Sequence, residues 1–181
     1  MRILHTVEFY HPSRGGAQEV VRRVSEALVR RGHSVTVATT RAPRRGAGEV
    51  NGVKVAEFEV RGNAVVGISG QTQRYQELLL GGGFDVVMNY AAQQWTTDLA
   101  LPLLDRMRCA RVLAPCGFSG LYRPDYAAYF ESMPRWLASY DHLVFHSSTY
   151  RDVEFARRHG LARWSIVPNG ASAEEFAAPR P

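Results

Sequence analysis

The sequence predicts an α/β domain built on a doubly wound parallel sheet, and three observations carry that prediction. Short runs rich in Val, Ile, Thr and Phe alternate with amphipathic stretches along nearly the whole chain. The run Phe84-Asp-Val-Val-Met-Asn-Tyr90 is apolar at both parities, as a strand buried on both faces must be. The first forty residues spell strand, glycine pair, helix, strand, which is one βαβ unit with a right-handed crossover.

The elements follow in order. Residues 2–9 form the first strand, which runs into the loop that holds Gly15-Gly16. Val20, Val21, Val24, Ala27 and Leu28 recur at one-face helical spacing, and Gly32 stops that helix after the basic turn Arg30-Arg31. Residues 34–40 form the second strand and 41–48 a polar, glycine-containing loop. A third strand spans 53–60, with a bulge or bend where its apolar phase shifts between Val55 and Phe58. Residues 61–70 read as a glycine-broken loop, long enough to serve as a mobile lid or binding loop. A helix over 71–80 stops at Gly81-Gly82-Gly83, and the strand over 84–90 follows. Next come a helix over 95–107 and a strand over 111–116. A loop over 117–123 then opens at Pro124-Asp125 into a helical stretch that Pro134 kinks or divides. A strand over 141–147, a helix over 149–159 closed by Gly160, and a short strand over 165–168 complete the alternation. Residues 171–181 read as the start of a linker, so the domain is placed at 1–170.

With 181 residues, 45% of them hydrophobic and 22% charged, the chain is one ample globular domain. It is long enough to bury roughly 70% of its unfolded surface. Of its 22 basic residues all but Lys54 are arginine, and they are spread along the chain, so the net charge of +5 reflects composition more than a partner. No motif that reads nucleic acid accompanies the charge. Two cysteines, Cys109 and Cys116, with no C-x-x-C pair, fit a reducing compartment and no zinc site. The amino terminus enters its first strand without a signal peptide's apolar core, and no apolar run approaches a membrane span. The expected location is the cytoplasm, with at most weak attraction to the anionic inner membrane face.

Gly15-Gly16 is the sharpest local signal. Two adjacent glycines at a helix start let backbone N–H groups approach an anion closely, although a ligand-free tight turn accounts for them equally well. The spacing is not G-x-G-x-x-G, and Lys54 stands between two valines, so neither a dinucleotide fingerprint nor a P-loop is present. In a parallel sheet every strand ends on one edge. That edge therefore gathers Glu8 and Tyr10; Asn89, Tyr90 and Gln94; Cys116, Gly117, Phe118 and Ser119; and His146, Ser147 and Ser148. Together these are positioned to line a cleft for a hydroxyl-rich molecule. His142 and His146 share one strand face, but no third metal ligand lies nearby. No nucleophile–base set is recognisable from spacing, so no catalytic residue is assigned.

Arg2-Ile-Leu-His, Gly15-Gly16-Ala-Gln-Glu, the run 28–37 and Val167-Pro-Asn-Gly170 together resemble the amino-terminal domain of family-four retaining glycosyltransferases. Those enzymes have the GT-B fold, two Rossmann-like domains facing across a cleft. The resemblance implies a nucleotide-diphosphate sugar as donor, no permanently bound cofactor and no required metal. The acceptor would be a sugar, lipid or small-molecule hydroxyl. It implies that Gly15, Gly16 and Gln18 lie by a phosphate, that Pro168, Asn169 and Gly170 mark the crossing between domains, and that the donor-binding domain is missing here. The family often carries Thr-Pro-His-Gly where this chain has Ala114-Pro115-Cys116-Gly117, so Cys116 stands in place of a sugar-facing histidine. Glu49 and Glu57 have the spacing of the family's carboxylate pair but flank the third strand, away from the expected donor site. Two other readings stay open: a non-catalytic subunit of a split transferase, and a nucleotide-binding domain of another enzyme.

Overall fold

The structure is a computed structural model that describes residues 1–43, 45, 46 and 48–171. Its core is an eight-stranded sheet of β1 (Arg2–Thr6), β2 (Ser34–Thr40), β3 (Glu49–Val50), β4 (Val53–Phe58), β7 (Val86–Tyr90), β8 (Ala110–Ala114), β9 (His142–Phe145) and β10 (Trp164–Ile166). Strands β5 (Val60–Asn63) and β6 (Gly67–Gly70) pair separately. The order across the sheet is β10-β9-β8-β7-β1-β2-β4-β3, and only the β3–β4 pair is antiparallel. The predicted doubly wound sheet is therefore present, with β1 well inside it.

Handedness explains where the helices lie. Helix α1 (Gly16–Arg30) carries the chain from β1 to β2 in one direction. Helices α2 (Thr72–Gly81), α3 (Trp95–Asp98), α4 (Ala127–Ala138) and α5 (Arg151–Arg158) accompany the steps to β7, β8, β9 and β10, which run the other way. Right-handed crossovers in opposite directions must use opposite faces. Accordingly Val21, Leu28 and Val29 of α1 pack over Ile3, Val35, Val37 and Val53. Residues of α2 to α5 pack with Leu4, Val87, Leu113 and Leu143 on the other face. Among the described helices α1 is the one on that side, and a groove runs along its flank. Val24, expected in its buried stripe, is 40% exposed beside a groove floored by Met88 and Val144.

Three expectations are corrected. The residues read as a loop at 61–70 form the β5–β6 hairpin, and its glycines are what permit the close pairing. A Cβ on Gly62 would lie 1.9 Å from the Gly67 carbonyl oxygen, and one on Gly70 1.9 Å from that of Glu59. The hairpin is docked rather than free, since Ala64 N–H donates to Asp98 Oδ2 at 2.8 Å. The helix expected over 95–107 breaks after Asp98 and resumes as a 3-10 turn, Leu101–Arg106. Pro102 has no N–H for the carbonyl of residue 98, and its ring crowds that carbonyl. By contrast, Pro134 does not divide its helix, because α4 runs through it after a 3-10 turn at Pro124–Tyr126. The third strand ends at Phe58, and β5 begins at Val60. The expected linker lies outside the described residues apart from Ala171.

Two buried polar sets cross the core. Asn89 donates through Nδ2 to Thr6 Oγ1 at 2.7 Å and accepts from the Tyr140 hydroxyl at 2.8 Å, all three side chains being buried. His5 Nδ1 meets Ser25 Oγ at 2.7 Å beneath α1. Burial depresses the His5 imidazolium, bringing its pKa down to about 4.

Two stability predictions follow from these sets. Asn89→Ala strands two buried partners and is expected to cost roughly 2–4 kcal/mol, whereas Tyr140→Phe strands one and costs roughly 1–2 kcal/mol. Urea titrations in which Asn89→Ala is no worse than Tyr140→Phe would refute the network. For His5, the unfolded chain binds the proton more tightly than the folded one. Its contribution is therefore intact above pH 6.5 and is lost as pH falls towards 4, by about 3 kcal/mol. Over that window His5→Gln should lose less stability than the wild type; equal losses would show that His5 is not buried in its neutral form.

Candidate functional site

The crossover direction reverses between β1 and β7, and the carboxyl ends of the strands at such a point are the usual ligand position in an open α/β sheet. Four strand-end segments converge there, after β1, β7, β8 and β9. The first two are bridged across the reversal, where Glu8 N–H donates to Gln94 Oε1 at 3.0 Å. The Glu8 carboxyl is half-buried, and burial, followed by repulsion from Asp98, raises its pKa. Asp98 is buried too and its pKa is also raised, although Tyr129 Oη–H and Ala64 N–H donate to it.

Next along the edge, the Tyr90 hydroxyl lies 3.0 Å from His146 Nε2. His146 Nδ1 sits 3.0 Å from the Val167 carbonyl, which only accepts, so Nδ1 carries the proton. With neutral imidazole, Tyr90 then donates to Nε2. This bond ties the chain before Pro168, Asn169 and Gly170 to the sheet edge, and those three residues border the groove beside α1. Cys116 donates through its thiol to the Ala114 carbonyl at 3.4 Å. Burial pushes that thiol up to about 11, so it is neutral at ordinary pH and supplies neither cation nor base.

The edge is held under strain. Among the described residues, non-glycine positive φ occurs at Asn51, Ala91, Gln93 and Cys116, and the last three sit just past β7 and β8. Such conformations cost about 1 kcal/mol or more each and persist where surrounding contacts over-determine them. Gln93 supplies those contacts. Its N–H donates to the Tyr129 hydroxyl, and its Oε1 accepts from Ser119 Oγ–H and Gly120 N–H. Asp152, buried in α5, accepts from Gly117 N–H at 2.8 Å. Sequence reasoning missed Gln93, Asp98 and Asp152. An acid that opens an apolar run, as Asp98 does before Leu99-Ala100-Leu101, was the one signal available.

At the start of α1, Gly15 is the N-cap in extended backbone with no side-chain cap, and Gly16 is the first helical residue. Neither glycine is forced by its φ. A Cβ on Gly16 would meet nothing within 4 Å, and one on Gly15 would meet only the mobile end of Gln18. Gln18 folds back over the helix start, with Nε2 3.5 Å from Ser13 Oγ.

Several residues expected in the cleft are elsewhere. Asn89 belongs to the core network already described. Phe118 is fully buried in edge-to-face contact with Phe130 and Phe155. Tyr10 is buried with its ring near Arg45, and its hydroxyl has no hydrogen-bond partner among the described residues. In each case an apolar body adjoining well-packed elements outweighs a position near a strand end. Glu8 with Gln94 and Tyr90 with His146 are brought together as pairs, and Cys116, Gly117, Ser147 and Ser148 lie at the ends of β8 and β9. Glu57 is held by Arg45 and by Ala42 N–H.

The comparisons agree with this architecture. The model of Glycosyltransferase Family 4 matches residues 14–175. Among solved structures, sucrose-phosphate synthase from Thermosynechococcus elongatus superposes with a TM-score of 0.71 at 11% identity, covering 96% of this chain and 49% of that one. A glycosyltransferase from Rickettsia africae ESF-5 superposes with a TM-score of 0.60 at 16% identity, covering 97% and 45%. The chain thus spans about half the length of these structures, whose likeness is one of fold. No curated protein matches by sequence. No helix among the described residues is long and apolar enough to cross a membrane. Sheet order, the reversal of crossover direction within it and a family match over most of the chain converge: the protein belongs to glycosyltransferase family 4.

Proposed function

We propose that the chain is the acceptor-side part of a retaining glycosyltransferase that moves a sugar from a nucleotide-diphosphate donor to a hydroxyl acceptor. The observation that carries this reading is the open, uncapped start of α1 at Gly16. The fold itself does not require glycine there, so the missing side chain is best explained by something that approaches from outside. Sugar transfer builds negative charge on the departing diphosphate, and free N–H groups at a helix start stabilise such charge. The acid in the first turn, Glu19, is engaged by Arg22 and Arg23, which hold its pKa down to about 2, and its charge is offset by theirs.

Glu8 and Gln94, across the reversal, are placed to orient an acceptor hydroxyl. Retention and nucleotide-sugar dependence rest on the family resemblance. The donor sugar would be gripped by residues outside this sequence, with α1 facing its phosphates. No metal is needed in this reading, in which helix N–H groups and arginines neutralise the leaving group.

Two tests follow. In the complete enzyme, Gly16→Val is expected to weaken nucleoside diphosphate binding and slow transfer ten- to a hundredfold. That equals roughly 1.5–3 kcal/mol, the loss of one or two charge-assisted hydrogen bonds. The thermal midpoint should not move, because a Cβ at this position meets open space. A variant that melts and transfers like the wild type would end the phosphate role. The 181-residue chain by itself is expected not to turn over nucleotide sugars. Transfer or donor hydrolysis by the purified chain would show that it holds a complete site.

A further inference from the structure

Among the described residues, the large aromatic side chains that stand exposed are Phe9 (49%), Tyr122 (67%) and Tyr150 (50%). All three follow carboxyl ends of parallel strands, β1, β8 and β9. The exposed aliphatic side chains are more scattered: Val24 and Leu80 lie on helices and Val66 between β5 and β6, while Val167 follows β10. Scattered exposed residues need no explanation, but a set confined to the edge where such sheets bind ligands does.

Tyr122 and Tyr150 are further organised. The Arg151 guanidinium sits over the Tyr122 ring, 5.3 Å from its centroid, and its Nη1 reaches the Ser119 carbonyl at 3.4 Å. The Tyr150 ring lies against the backbone of Gly117, where a Cβ would come within 2.3 Å of Cε1. Gly117, at φ +78°, is itself fixed by buried Asp152. Both rings are thus held by neighbouring groups while much of each stays uncovered.

We propose that Tyr122, Arg151 and Tyr150 form a subsite for a sugar ring of the acceptor. This deepens the glycosyltransferase reading and rests on it for the ligand class. A pyranose presents a C–H face that packs on an aromatic ring and a rim of hydroxyls that needs polar partners. Here the rings supply the platform. Arg151, with exposed Ser119 beside it, supplies donors and acceptors.

The test is saturation-transfer NMR on the chain with the methyl glycosides of glucose, galactose and mannose, and glycerol as a polyol without a ring. At least one glycoside is expected to receive saturation at its ring C–H protons, and glycerol none. Tyr150→Ala and Tyr122→Ala should each weaken binding about tenfold, about 1.4 kcal/mol. Tyr150→Phe and the distant Val24→Ala should bind like the wild type, and all variants should keep the wild-type thermal midpoint. Any of three results overturns the subsite: no transfer to any glycoside, unchanged binding in both alanine variants, or a lower midpoint with binding unchanged, which would mark a packing role. Co-sedimentation with phosphatidylcholine–phosphatidylglycerol vesicles adds a fourth, since rings needed for vesicles but not for glycosides form a membrane-contacting surface. The parent reading stands or falls separately, on nucleoside diphosphate binding by Gly16→Val.

Discussion

The constraint on which this structure depends is the right-handedness of the crossover between parallel strands. Helix α1 moves the chain from β1 to β2, and the chain then returns past β1 to reach β7. Because both moves must be right-handed, the helices divide between faces, and the loops after β1 and β7 diverge. The reversal between them is a consequence of that geometry, and no special residue creates it. What the sequence adds is the bridge across it, from the Glu8 backbone to the Gln94 side chain.

A second layer of order comes from buried polar groups that tie one strand end to another. Asn89 joins β7 to Thr6 of β1 and to Tyr140 ahead of β9. Asp98 joins the β5–β6 hairpin to Tyr129 of α4, and Asp152 joins α5 to the turn after β8. In a low-dielectric interior, fully partnered groups of this kind are rigid, and each missing partner is costly. That rigidity is what holds Ala91, Gln93 and Cys116 in left-handed conformations just past β7 and β8.

Helix α1 closes the smaller core with its inner face, and its first turn, which has no side-chain cap, starts at the carboxyl edge of the sheet. As the one described helix on its side of the sheet, it also borders a groove along its flank, which the segment Pro168–Asn169–Gly170 lines after the His146–Val167 contact. The chain therefore leaves the sheet beside the same edge that gathers the candidate site.

The sequence by itself determined the alternation of strands and helices, the parallel sheet, the edge on which ligands would meet it, and the helix that begins at Gly16. These are carried by local periodicity and by turn chemistry, which act over a few residues. It misread glycines 62, 67 and 70 as breakers, because only the opposing strand reveals that their missing side chains allow close pairing. It assigned Asn89 and Phe118 to the cleft, because nearness to a strand end does not say which way a side chain turns. Burial decided that, drawing Phe118 into an aromatic cluster and Asn89 between Thr6 and Tyr140. Gln93, Asp98 and Asp152 acquire their roles from partners 27 or more residues away, at Gly120, Ala64 and Gly117. Contacts of that range leave no local pattern, and only the tertiary structure decides them.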